Sequence, residues 1–246
     1  GLFSVTEYHE LKICDHYLSW GWGDGDDKVI PVGVLKRPIK NRKKEPQNKS
    51  ILLLISGTSR YSRGIASMPI SGQWIDYLDD QMKFYENLPE HISSNAIIRL
   101  YPHDYSWSQF ERWKDRFPDS KIDECKEDFQ KVIVNTDLFI SGWNTTTYLE
   151  SMLLNVPTVV FWESKYFEIR DNAKGLFEKL KKVGILHEDP ISAVKHVNNI
   201  YNDIDAWWDR PDVVSARNEF TNKYAYSNNM LEKLSCALKD ISGKQN

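Results

Sequence analysis

Apolar and polar positions divide the chain into three stretches of different rhythm. From Ser50 onward, short continuous apolar runs alternate with segments of helical period, as in a β-α-β array. Residues 51–55 (Ile-Leu-Leu-Leu-Ile) form an unbroken apolar run ending in Ser56-Gly57-Thr58-Ser59, which predicts a parallel strand buried on both faces. Residues 73–88 place Trp74, Leu78, Met82 and Tyr85 on one helical face. Residues 96–100 predict a second strand, stopped at Pro102, and residues 121–123 a weaker one. A helix over 126–134 then feeds a strand over 138–141, a short helix over 147–155 and a strand over 157–161. Three helices close the chain, over 169–183, 190–203, and 213–224 continuing into 230–238. Parallel strands with right-handed helical crossovers make an α/β fold with a doubly wound, Rossmann-like parallel sheet.

The first 35 residues have a different pattern. An amphipathic stretch (Tyr8, Leu11, Ile13) leads to Tyr17-Leu18-Ser19-Trp20-Gly21-Trp22-Gly23, an acidic turn (Asp24-Gly25-Asp26-Asp27), and an apolar run over 29–34. This reads as strand, turn, strand, without core-sized apolar content, and as the tail of a preceding domain. Residues 36–49, basic and punctuated by Pro38 and Pro46, read as a solvated linker, with contact to an anionic membrane surface as the second reading. The expected organisation is therefore a remnant of an amino-terminal domain over 1–35, a linker over 36–49, and a ligand-binding domain over 50–246.

Composition narrows the classes. The 246 residues are 41% hydrophobic and 27% charged, with a net charge of −3 that implies no basic face for nucleic acid. Three cysteines without CxxC spacing argue against a disulfide framework or a cysteine-held zinc, and fit a reducing cytoplasm. No apolar run reaches the ~20 residues that span a bilayer. The six histidines show no metal-ligand spacing, and Asp24, Asp26 and Asp27 match a metal loop only loosely, so neither a metal nor another cofactor is expected.

In a doubly wound sheet, ligands bind beyond the carboxyl ends of the strands. That rule selects the loops over 56–63, 101–107, 141–147 and 161–169. Ser141-Gly142-Trp143-Asn144-Thr145-Thr146-Thr147-Tyr148-Leu149-Glu150 is the strongest of them, because it joins a buried strand to a helix whose first N–H groups lack partners. With hydroxyls at Ser141, Thr145 and Thr146, it suits a phosphate or diphosphate. The competing reading is a capping box formed by Thr147 and Glu150. Ser56, Gly57, Thr58 and Arg60 offer a close backbone approach and a cation, or simply a solvated turn. His103, in Tyr101-Pro102-His103-Asp104, is either a phosphate partner or acid/base group or a structural loop histidine. The aromatics after Phe161 either flank a base or sugar or seal the sheet edge, and Trp207-Trp208 reads as a packing anchor.

With these segments in order, the chain resembles the carboxyl-terminal domain of GT-B glycosyltransferases that build bacterial surface carbohydrates. In layout it is similar to Kdo and sialyl transferases and to CDP-glycerol glycerophosphotransferases. The wording at residues 17–22, 145–150 and 155–162 is similar to a family of surface-carbohydrate transferases. The resemblance implies transfer of a sugar from a nucleotide-activated donor, such as a CMP-sugar, to a carbohydrate or lipid-linked acceptor, without a metal, at the inner face of the cytoplasmic membrane. It implies that His103, Ser141, Thr145 and Thr146 hold the donor phosphate, with Glu150 on the ribose hydroxyls. It also implies a separate amino-terminal Rossmann half that this sequence lacks, so an incomplete enzyme is expected. In this chain the order is Pro102-His103, where the relatives carry His-Pro. Two alternatives stand beside this reading: a non-catalytic nucleotide- or sugar-binding scaffold module, and a sugar-nucleotide epimerase of GT-B architecture.

Overall fold

The computed structural model describes residues 2, 4–23, 25–34, 49–61, 66–123, 125–225 and 228–243. The basic linker therefore lies almost wholly outside the described residues, as do Asp24 and Arg63. Six parallel strands form the main sheet: β3 (Ile51–Leu54), β4 (Ala96–Arg99), β5 (Lys121–Asp123), β6 (Leu138–Ser141), β7 (Thr158–Phe161) and β8 (Leu186–His187). Their order, β5-β4-β3-β6-β7-β8, is that of a doubly wound Rossmann sheet, with the reversal of direction between β3 and β6. Residues 51–53, 138–141 and 158–161 are buried throughout, which is why those runs carry no polar alternation. Strand β8, two residues long, is too short to show a period.

Helices α2 (Gln73–Glu86) and α8 (Pro190–Ile200) pack together on one face of the sheet. Helices α6 (Thr146–Leu153), α7 (Asp171–Lys182) and α10 (Pro211–Tyr224) pack on the other. The predicted helix over 126–134 is shorter, as α5 (Phe129–Ile133), because Asp128 accepts from Gln130 N and starts it late. Residues 109–116 form α4 (Gln109–Arg116), and the short helices α3 (Glu90–Ser93) and α9 (Ile204–Trp208) complete the connections. The last predicted helix is two, because α10 stops with Ala225 as its cap and α11 (Met230–Gly243) begins anew. Trp207 and Trp208 are both buried; their indole N–H groups donate to Val183 O and to Asn155 Oδ1.

The amino-terminal stretch departs from the strand-turn-strand expectation. It opens with α1 (Val5–Ile13), capped by Ser4, whose side chain accepts from Glu7 N. The strands that follow, β1 (Tyr17–Ser19) and β2 (Val29–Pro31), pair in parallel and not as a hairpin. The amphipathic reading of α1 is also reversed. Tyr8 and Ile13 face solvent, and within the helix only Glu7 and Leu11 are not exposed. Val29, Val32 and Val34 are buried, so this stretch does contribute to a core.

Candidate functional site

Because all six strands are parallel, the loops after β3, β4, β6 and β7 emerge along one edge. The side chains fill that edge unevenly. After β3, Ser56 N donates to the Tyr77 hydroxyl at 2.9 Å, and Trp74 Nε1 donates to Ser56 O at 2.9 Å. Trp107 Nε1 donates to Thr58 O at 2.8 Å, and Trp107 stacks on Trp74 with ring centroids 4.9 Å apart. Ser56 and Thr58 are buried under these rings, and burial pushes the Tyr77 hydroxyl well above the usual phenol range. Gly57 is pressed against Tyr101, where a Cβ would lie 2.7 Å from the ring. Arg60 is exposed, donating to Ser106 O at 2.9 Å and lying 5.4 Å from the Trp107 ring.

The loop after β4 is tightly wound. Tyr105, Ser106 and Ser108 all have positive φ, at 52°, 64° and 51°, a conformation costing roughly 1–2 kcal/mol per residue. The Asp104 carboxylate holds it, accepting from Ser108 N at 2.8 Å and Gln109 N at 2.7 Å. His103 is exposed on this loop, with its ring 6.4 Å from that of Tyr101 and 6.1 Å from that of Tyr105.

At the β6–α6 junction the arrangement changes. Ser141 is fully buried, and its hydroxyl lies 3.4 Å from Trp143 O, inside the turn. The Gly142 backbone touches the Gln81 side chain so closely that a Cβ would lie 2.1 Å from Gln81 Nε2. The capping box does not form. The N-cap is Thr145, its side chain caps no backbone N–H, and its Oγ1 is 2.7 Å from that of Thr147. The first-turn N–H groups of α6 thus keep no side-chain acceptor from the cap residue. Glu150 is buried, with Gln130 Nε2 3.4 Å from its carboxylate.

Beside this junction lies a cavity of about 390 Å³ between α6, α7, α10 and the amino-terminal stretch. Asn144, Thr146, Tyr148 and Leu149 line one wall; Ile169, Arg170 and Asn172, at the start of α7, line the next. Tyr17, Trp20 and Trp22 close it from the far side, with Glu7 at its rim. Two helix amino-terminal ends, those of α6 and α7, therefore border the same cavity, and each presents a partial positive charge. The Tyr148 hydroxyl donates to Asn144 Oδ1 at 2.9 Å, which leaves the Asn144 amide N–H groups as its donors toward the cavity. Burial raises the Tyr148 hydroxyl far above its ordinary value, so it stays protonated and keeps that donation. Arg170 Nη2 pairs with Glu7 Oε1 at 2.5 Å.

Of the residues singled out from sequence, the structure brings Asn144 and Thr146 to the cavity, with Thr145 and Thr147 in the same turn. Ser56, Gly57, Thr58, Arg60, His103, Ser141 and Glu150 do not line it. Arg170 and Asn172 were missed: they fall at the start of the predicted helix over 169–183, and only the tertiary fold sets that first turn beside Thr146. The aromatics at the end of β7 and just beyond it pack inward: Phe161, Trp162 and Phe167 are all buried. Among the described residues, no group of three His, Cys, Asp or Glu side chains could hold a metal ion, and no helix is long and apolar enough to cross a membrane.

The model of the LIC12162 family of transferases matches residues 1–237. The chain belongs to that family. No curated protein matches it. Among solved structures, it is similar to the wall teichoic acid polymerase TagF in a crystal soaked with CDPG, at 14% identity and a TM-score of 0.50, covering 99% of this chain and 62% of that one. A second TagF structure matches at 14% identity and a TM-score of 0.50, covering 99% of this chain and 63% of that one. A mutant of S. aureus TarM, in complex with fondaparinux, alpha-GlcNAc-glycerol and UDP, matches at 14% identity and a TM-score of 0.55, covering 94% of this chain and 46% of that one. The chain thus spans less than two thirds of each of these structures. The likeness establishes the fold, an α/β domain of GT-B type, and the family to which the chain belongs is one of transferases.

Proposed function

We propose that this transferase moves a sugar from a nucleotide-activated donor, a CMP-sugar or a close analogue, to a surface-polysaccharide acceptor, and that this domain holds the donor. One observation carries the reading: a cavity large enough for a small ligand is bordered by two helix amino-terminal ends and walled on the far side by Tyr17, Trp20 and Trp22. The donor phosphate docks at the first turn of α6, where unpaired backbone N–H groups, the Thr146 hydroxyl and the Asn144 amide converge. As the glycosidic bond to phosphate breaks, negative charge grows on the leaving phosphate, and these preorganised donors stabilise it. In this reading the chemistry needs no metal, because the two helix ends supply the positive potential. Arg60 and His103, on neighbouring loops of the same edge, reach the distal part of a longer donor or the acceptor. The ligands in the TagF and TarM structures, CDPG and UDP, support a pyrimidine nucleotide as the leaving group.

Calorimetry with CMP and CDP tests this. Saturable binding is expected, and the Thr145→Ala, Thr146→Ala double variant should weaken it by roughly 1–3 kcal/mol, as for lost hydrogen bonds to a charged group. No affinity for either nucleotide would overturn the reading.

A further inference from the structure

Glu7 is an unusual residue to find turned inward. Helix α1 contributes no buried residue, and it shows Val5, Tyr8 and Ile13 to solvent while Glu7 is directed at the protein. An amphipathic helix normally does the reverse. What Glu7 meets is Arg170, the N-cap residue of α7, at 2.5 Å, with the two side chains 24% and 35% exposed. Both residues line the cavity of the proposed donor site. The nearest other acid on that helix, Asp171, is turned outward and paired with Lys174 at 2.6 Å. Arg170 is therefore the cavity's guanidinium, and the Glu7 carboxylate is the group it holds.

We infer that Arg170 is the cation that receives the anionic group of the ligand in this cavity, and that Glu7 is its built-in stand-in, displaced when a phosphate arrives. The inference rests on the nucleotide reading above and deepens it by naming the charge that recognises the ligand. The geometry favours exchange. A guanidinium binds carboxylate and phosphate through the same planar fork, and phosphate carries more charge. The pair is partly solvated, so breaking it costs little. The helix bearing Glu7 is tied at its start, where Leu2 N donates to Glu168 O at 2.7 Å and Ser4 bridges Ala66, so Glu7 can leave without α1 detaching. Glu7 then sets a threshold: it keeps Arg170 oriented toward the cavity and excludes weak anions.

The test is calorimetric titration of CMP, cytidine and inorganic phosphate into the wild-type chain and into Glu7→Gln, Arg170→Gln, Arg170→Lys and the Glu7→Gln, Arg170→Gln double variant. Glu7→Gln should tighten CMP by about threefold, the worth of a partly exposed ion pair. A gain in affinity cannot arise from misfolding, which makes this the decisive arm. Arg170→Gln should weaken CMP by about tenfold or more, as for a lost charge-assisted hydrogen bond, with Arg170→Lys intermediate. The double variant should match Arg170→Gln, because Glu7 acts only through Arg170. Cytidine, which lacks the phosphate, should not distinguish Glu7→Gln from wild type, while inorganic phosphate should follow CMP in sign. If wild type binds CMP but Glu7→Gln weakens or leaves its affinity unchanged, or Arg170→Gln binds as wild type does, the inference falls and the nucleotide reading stands. If wild type binds neither nucleotide nor phosphate, both fall together.

Discussion

The two ends of one sheet edge obey the same topological rule and finish differently. Beyond β3 and β4, the loop backbone is consumed by aromatic side chains: Tyr77 and Trp74 take the backbone N–H and carbonyl of Ser56, and Trp107 takes the carbonyl of Thr58. Each of these rings fills volume and uses its one polar atom to satisfy a buried backbone group. Beyond β6 and β7, the corresponding backbone is the start of two helices, and a cavity remains between them. Topology points to the switch point between β3 and β6 as the ligand crevice. Packing against α2 closes the β3 side of it, so the accessible site is displaced toward α6 and α7. A fold-level rule thus locates an edge, and side-chain volume chooses where along it a ligand fits.

The largest effect should come from breaking the filled end. Trp74→Ala removes a fully buried indole, its stack on Trp107 and its bond to Ser56 O, and should cost about 3–5 kcal/mol in urea unfolding. If that end is only packing, the folded fraction should bind CMP as wild type does; a matching loss of affinity would show that the comparison is drawn wrongly.

Acidification acts on neither end and serves as a control. Burial, reinforced by the positive charges of His187 and Arg210, pushes His196 down to about 4. The folded chain keeps this imidazole neutral while the unfolded chain protonates it, so stability is full above about pH 6.5 and falls as pH drops toward 4, by up to ~3 kcal/mol. Denaturation midpoints measured across that window should show the fall, and His196→Gln should reduce it, leaving the part that His187, also depressed by burial, contributes.

Gly142→Ala tests the boundary between the two ends. Its Cβ would collide with the Gln81 amide of α2, at a cost of about 1–3 kcal/mol in unfolding free energy. Adding Gln81→Ala should recover part of that loss, since the obstacle is a side chain and not backbone.

The smallest effects should belong to the open end. Asn144→Ala should leave the urea midpoint nearly unchanged and weaken CMP by about 1 kcal/mol. Tyr148→Phe frees the Asn144 amide from its fixed orientation and should weaken CMP by a smaller amount, about 0.5 kcal/mol, without abolishing it.

Much of this was legible along the chain because it is local. The unbroken run of Ile51, Leu52, Leu53 and Leu54 has no polar alternation, and such a strand has to be covered on both faces. The passage from Phe139 and Ile140 to Thr145, Thr146 and Thr147 announces a strand giving way to a helix, and with it a set of unpaired N–H groups. The capping box is a fair reading of Thr147 and Glu150 at sequence spacing. It fails because the N-cap is Thr145, two residues earlier, and Glu150 is drawn into the protein beside Gln130. Helix α1 is misread from its pattern because Tyr8 and Ile13 follow a helical spacing but face solvent, while Glu7 turns inward to Arg170.

The sequence by itself determined most of the alternation of strands and helices and the parallel, doubly wound sheet of residues 50–246, since these follow from periodicity and chain connectivity; the general rule for such sheets then named the edge whose loops to inspect. The tertiary structure alone decided which loops along that edge are closed by aromatic rings. It alone brought Tyr17, Trp22, Thr146 and Arg170 around one cavity. The reason is physical: a hydrogen-bonded helix or strand is specified by neighbours a few residues away, whereas the volume left between side chains depends on residues more than a hundred positions apart, whose distances no local pattern encodes.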